Sequence, residues 1–194
     1  MNEKQKAAAG LLHNPDTDMQ MLSERLRCKN LCHRYNKTEP SNLAKRYLLI
    51  KKIVGSTKKM FWIEQTFYCD YGYNIHLGEA FYSNHNLVIL DCAKVTFGDH
   101  VMIGPNCGFY CAGHPLDSKR RNALLEYAKP ITVGNNVWIG GNVVVLPGVT
   151  IGNDVVIGAG SVVTHDIPSG VVAVGNPCKV LRPITPEDET RTVF

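Results

Sequence analysis

Among the ionisable residues of this 194-residue chain, His114 has the setting best suited to chemistry, between Gly113 and Pro115 in the run Cys-Ala-Gly-His-Pro-Leu-Asp. Glycine frees the backbone and proline restricts it, so one imidazole sits in a shaped loop. Imidazole titrates near neutral pH, as a general base must. An exposed loop histidine with no role fits the local sequence equally well. Two metal readings start from the same residue. Cys107, Cys111 and His114 give a C-x3-C-x2-H spacing that lacks a fourth ligand nearby, and His76, His85 and His114 are the set of three that a zinc hydratase would need. No second histidine follows His114 in its loop, so the metal-free reading is preferred. Asp16, Asp70, Asn84, Asp91 and Glu126 are suited to accept hydrogen bonds from sugar hydroxyls, although each alone reads as a cap or turn residue. Lys179 and Arg182 suit phosphate oxygens, with a solvated surface pair as the plain alternative.

What must position these residues is a repeat. Val133, Ile139, Val145, Ile151, Ile157 and Val163 recur every sixth position, with Gly134, Gly140, Gly152 and Gly158 following the marked residue and small or β-branched residues two places before it. A fixed six-residue unit predicts a parallel β-helix in which three units close one triangular coil, glycine takes the turn conformation and one aliphatic per unit stacks inward. The signal returns less cleanly through Leu77, Ser83 and Ile89 and, after a two-residue slip, Phe97, Ile103 and Phe109. It breaks between Tyr110 and Lys129, which predicts a loop thrown out of the prism, the place where a rigid scaffold presents chemistry. Upstream, 16–35 and the segment opened by Pro40-Ser41-Asn42 read as two amphipathic helices capping an otherwise open β-edge. The division expected is a helical cap over 1–58, a β-helix over 59–184 with its insert at about 110–130, and a tail over 185–194.

Composition is that of a globular chain, 44% hydrophobic and 20% charged, and a net charge of +4 is too mild to argue for nucleic acid. The short Ala-Ala-Ala-Gly-Leu-Leu run is no secretory core, and no long apolar stretch follows, so neither export nor a membrane span is expected. Seven cysteines without a CxxC pair argue for reduced thiols and a cytoplasmic protein.

Several stretches together resemble the maltose and galactoside O-acetyltransferases, a branch of the hexapeptide-repeat acyltransferases. They are Leu-Ser-Glu-Arg-Leu-Arg, Cys-Asp-Tyr-Gly-Tyr-Asn-Ile-His-Leu-Gly-Glu, Phe-Tyr-Ser-Asn-His-Asn, Gly-His-Pro-Leu-Asp, Pro-Ile-Thr-Val-Gly-Asn-Asn-Val-Trp-Ile-Gly-Gly and Gly-Asn-Pro-Cys-Lys-Val-Leu-Arg. The resemblance implies an all-β fold, a left-handed parallel β-helix with a short helical cap, in a homotrimer with active sites between subunits. It implies acetyl-CoA as donor, a sugar of the maltose, glucose or galactoside class as acceptor, no metal, and His114 as the base. Asp16, Arg25, Asp70, Asn84 and Glu126 fall at acceptor positions. Trp138, Gly141, Ala159, Thr164, His165, Lys179 and Arg182 fall at or beside coenzyme positions. Asp70, Cys92 and His165 stand where galactoside enzymes carry Ser, Asp and Lys, and Asp91 is expected to supply the carboxylate that Cys92 lacks. A non-sugar hydroxyl acceptor and a non-catalytic trimeric scaffold are the rival readings.

Overall fold

An aliphatic at every sixth residue can be buried by every unit only if the chain turns after each one, and it does. The computed structural model describes residues 1–190, so the tail expected over 185–194 lies partly outside the described residues. Short strands stack in parallel on three faces, which the chain visits in rotation. The first face carries Phe61–Ile63, Phe81–Ser83, Met102–Ile103, Trp138–Ile139, Val156–Ile157 and Val171–Val174. On the second lie Phe67–Cys69, Leu87–Leu90, Gly108–Tyr110, Val144–Val145 and Val162–Val163, and on the third Ile75–His76, Val95–Phe97, Ile131–Val133 and Thr150–Ile151. This is a parallel β-helix. Its core is a set of stacked columns: Ile63, Ser83, Ile103, Ile139, Ile157 and Ala173 are register partners, all buried, and Cys69, Ile89, Phe109, Val145 and Val163 form the matching column of the second face.

The glycines do a different job from the one expected. Left-handed backbone falls three places beyond the marked aliphatic, at Asn136 (φ 55°), Asn142 (59°), Gly148 (88°), Asp154 (54°) and Gly160 (74°), where Asn, Asp and a second glycine tolerate that region. Gly140 is required by crowding instead, since a Cβ there would stand 2.6 Å from the backbone N of Ala159 on the next coil.

Helices Glu3–Ala8, Met19–Asn36 and Leu43–Ile53 cover the amino-terminal end. Asp18 caps the long helix by accepting the N–H groups of Gln20 and Met21. The Asn36 side chain then closes the strand edge, donating to the Phe67 carbonyl at 3.0 Å and accepting its N–H at 2.9 Å. The buried stripe of this helix is Met21, Cys28, Cys32 and Tyr35, whereas Met19 and Leu26, read from sequence as apolar positions, are exposed. Arg46, which patterning places on a polar face, is buried, with its guanidinium 2.7 Å from Glu64 and stacked 4.5 Å over Trp62. At the other end, Lys179–Pro183 pairs antiparallel with Val171–Val174 and closes the first face. Between Gly108–Tyr110 and Ile131–Val133 the chain leaves the prism as an antiparallel pair, Ala112–Gly113 with Tyr127–Ala128, tipped by the helix Ser118–Asn122.

Candidate active site

His114 follows the strand Ala112–Gly113 directly, at the edge between the second and third faces. The Tyr127 hydroxyl end lies against Gly113 across the two arms of the insert, where a Cβ would displace it. The His114 side chain is exposed, and its Nδ1 lies 3.0 Å from the carbonyl oxygen of Leu125. A carbonyl only accepts, so Nδ1 carries the proton and the lone pair sits on Nε2, directed away from that contact. One hydrogen bond thereby selects the tautomer that can take a proton from a hydroxyl.

A polar cluster lies at the same edge. Asp16 and Arg25 form an ion pair between the short turn Pro15–Thr17 and the long helix. The Asp16 carboxylate, through its hydrogen bond, holds the Arg25 guanidinium above its ordinary value, with Tyr71 and Asp70 adding to the effect. Burial pushes the Asp70 carboxyl up, while the Cys92 thiol and Arg25 pull it down. Cys92 is raised mainly by burial and then by Glu126 and Asp70, so it stands as a neutral thiol donating to Asp70 Oδ2 at 3.7 Å. Glu126 thus shares this field with Asp70 and Cys92. Tyr71, which the sequence did not single out, joins them; its hydroxyl is buried without a hydrogen-bond partner among the described residues.

Asp91 does not fill the place left by Cys92. It is 0% exposed, and its carboxylate accepts the N–H groups of Asp70 at 3.0 Å, Tyr71 at 2.9 Å and Asn74 at 3.4 Å. Burial pushes it up to about 6. It ties one coil to the next, and Asp70 is the carboxylate of this corner that is partly open.

The remaining candidates divide between two edges of the prism. Asn84, Gly141 and Ala159 follow first-face strands, at the edge between the first and second faces, with Trp138 on the first face beside them and Lys179 and Arg182 on the strand added to that face. Thr164 and His165 follow a second-face strand, on the His114 edge, and their side chains bond each other at 2.8 Å. Arg182 is already held bidentately by Asp188 at 2.8 Å on each arm, so a phosphate would meet that pair rather than an open guanidinium. The histidines of the hydratase reading are dispersed: His76 lies on the third face bonded to Ser56, His85 at the first edge against the Gln65 carbonyl, and His114 at the second. Cys107 and Cys111 are buried where His114 is exposed. Among the described residues, the thiols of Cys28, Cys32 and Cys69 are the group of possible metal ligands that does converge, within 4.8 Å, inside the core under the helical cap.

Comparison with known proteins gives two family-model matches, the maltose acetyltransferase hexapeptide capping motif over residues 6–58 and the bacterial transferase hexapeptide (six repeats) over residues 130–165. A putative acetyltransferase of Saccharomyces cerevisiae is 52% identical over 95% of this chain and 94% of its own length. The galactoside O-acetyltransferase of Escherichia coli is 49% identical over 86% of this chain and 82% of its own. The solved structure of a galactoside acetyltransferase in complex with coenzyme A superposes with a TM-score of 0.97 at 44% identity, covering 100% of this chain and 96% of that one. No helix of the described residues is long and apolar enough to cross a membrane.

Proposed function

This chain belongs to the maltose and galactoside O-acetyltransferases, a branch of the hexapeptide-repeat acyltransferases, and from that premise we propose that it moves the acetyl group of acetyl-CoA to a sugar hydroxyl with His114 as general base. It is an acetyltransferase of that type. The observation that carries the acid–base assignment is the contact of His114 Nδ1 with the Leu125 carbonyl, which leaves Nε2 as the basic atom on the exposed side of the ring. In the reaction, Nε2 takes the proton of the acceptor hydroxyl as its oxygen forms a bond to the thioester carbonyl carbon. The carbon–sulfur bond then breaks, and the proton returns to the coenzyme thiolate. A backbone N–H at the first edge, that of Gly141, is the proposed donor to the oxyanion. No acyl-enzyme and no metal is required.

Asp16, Arg25, Asp70, Asn84, Cys92 and Glu126 are the proposed acceptor set, and Trp138, Gly141, Ala159, Thr164, His165, Lys179 and Arg182 the proposed coenzyme set. Because they occupy two edges of one prism, the reading includes a homotrimer in which one copy's first edge meets its neighbour's second. It also places the chain in the cytoplasm, in keeping with its seven free cysteines. The test is acetyl-CoA turnover read by thiol release across maltose, glucose, galactosides, serine and aminoglycoside acceptors. Turnover with sugars that is lost in His114→Ala supports the proposal. Turnover confined to a non-sugar acceptor replaces the substrate, and none with any acceptor leaves the scaffold reading.

A further inference from the structure

We propose that His13, which lies outside the acceptor and coenzyme sets, is a positioning residue that holds Glu126 and, through the adjoining Leu125 carbonyl, the tautomer of His114. The inference rests on the acetyl-transfer reading for its consequence, and on geometry for its substance. His13 is 0% exposed, although it lies in the irregular segment between the first helix and the turn Pro15–Thr17. Its backbone forms a bridge with the insert: His13 N–H donates to the Glu126 carbonyl at 3.0 Å, and Glu126 N–H donates to the His13 carbonyl at 2.9 Å. The next residue reinforces the tie, as the Asn14 side chain donates to the Ala123 carbonyl at 3.1 Å. The segment is therefore a strap across the insert, clamped on both sides of the residue whose carbonyl orients His114.

The ring explains why a histidine is there. Nδ1 lies 3.1 Å from the Leu11 carbonyl oxygen, and Nε2 lies 3.3 Å from Glu126 Oε1. Both neighbours are acceptors, and a neutral imidazole would aim a lone pair at one of them. Only the imidazolium presents an N–H to both, bonding the Leu11 carbonyl and pairing as an ion with Glu126, since Nε2 and Oε1 are both buried and make no other hydrogen bond among the described residues. The charged groups that face it are Glu126 from the insert and Glu3 from the first helix, the latter also bound by Lys6 and by the Asn14 N–H. The Glu126 carboxylate is the largest influence and raises His13 above the ordinary imidazole value, against the burial that lowers it. The two histidines flanking Leu125–Glu126 thus take different parts: His114 donates through Nδ1 to the Leu125 carbonyl, and His13 is a cation facing the carboxylate that shares its field with Asp70 and Cys92.

The experiment combines imidazole nitrogen NMR with kinetics on wild type, His13→Ala, His13→Gln and Glu126→Gln. In wild type the His13 ring should stay doubly protonated to a higher pH than in Glu126→Gln, and His114 should be the Nδ1–H tautomer. In His13→Ala the His114 signals should shift toward a tautomer mixture. Turnover should then fall roughly ten- to a hundredfold, the loss a misplaced catalytic group produces, with KM for acetyl-CoA unchanged. His13→Gln, which can still donate one hydrogen bond, should recover part of that loss. Should His13→Ala not fold, the His13 titration in wild type against Glu126→Gln decides the point without it. A His13 ring that titrates alike in both proteins, or His13→Ala with wild-type turnover and a wild-type His114 tautomer, overturns the proposal. A wild type that acetylates no acceptor overturns the functional reading instead, and the NMR comparison still decides whether His13 holds Glu126 and His114.

Discussion

At the scale of single residues, chemistry here depends on which atom of a ring carries the proton. His114→Ala should fold and melt like wild type, because the side chain is exposed and outside every stacked column, yet lose about 10²–10⁴ in turnover while still binding acetyl-CoA. Rapid-mix turnover and a coenzyme titration would check this, and near wild-type turnover would remove His114 from the mechanism. The His13 pair gives a second prediction, on stability. Its folded-state value lies above that of the unfolded chain, so the stabilisation is fully present below about pH 6.5 and is lost as pH rises through the folded value. The difference in denaturant stability between wild type and His13→Gln should therefore shrink with rising pH across that window. His114 was legible in sequence because Gly and Pro flank it, whereas His13 was not, because its partner Glu126 is remote in the chain and nothing local marks a buried strap. The choice between Asp91 and Cys92 failed for a related reason. Neighbouring residues at a coil corner point in opposite directions, and the six-residue period does not say which one turns inward.

At the scale of elements, stacking makes some glycines irreplaceable and leaves others merely convenient. Gly140→Ala puts a methyl 2.6 Å from backbone that cannot move without shifting a coil, whereas Gly160→Ala meets open space and bears only the left-handed backbone at φ 74°. The second should cost about 1–2 kcal/mol. Gly140→Ala should be far more damaging, and equal melting temperatures for the two would refute this account of the corner. The cap supplies a parallel test. Arg46 ties the helix Leu43–Ile53 to the first coil through Glu64 and the Ile63 carbonyl, so Arg46→Ala leaves Glu64 with the Trp62 N–H and should cost about 1–3 kcal/mol in urea unfolding. The repeat was readable because one residue type at one spacing is demanded by stacking. The helices were readable as helices but not by face, since thiols and an arginine occupy buried positions that patterning assigns to leucine and methionine.

At the scale of the whole molecule, the outward-facing residues of the three faces differ in kind. Trp62, Tyr82, Met102, Trp138 and Val156 are register partners on the first face, where the next, Val172, is buried, and Tyr68, Val88, Val144 and Val162 lie on the second about the buried Gly108. The third shows His76, Thr96, Thr132 and Thr150. Two apolar columns flank the edge that bears Asn84, Gly141 and Ala159, and on a prism of this size such surface is suited to a second copy of the chain. In the proposed trimer, assembly about that edge would bring it to the neighbour's His114 edge and complete a site that neither chain holds alone. Subunit mixing tests this directly. His114→Ala removes the base on one edge, and Ala159→Trp blocks the proposed coenzyme trough on the other, so each alone should be nearly inactive. Refolding the two together at equal concentration sorts chains at random. A site built from two copies is then intact whenever an Ala159→Trp chain supplies the His114 edge and a His114→Ala chain supplies the other, which gives about a quarter of wild-type activity. Sedimentation of the mixture should show trimers throughout. If the two edges served one another within a single chain, every site would carry a lesion, and mixing would restore nothing.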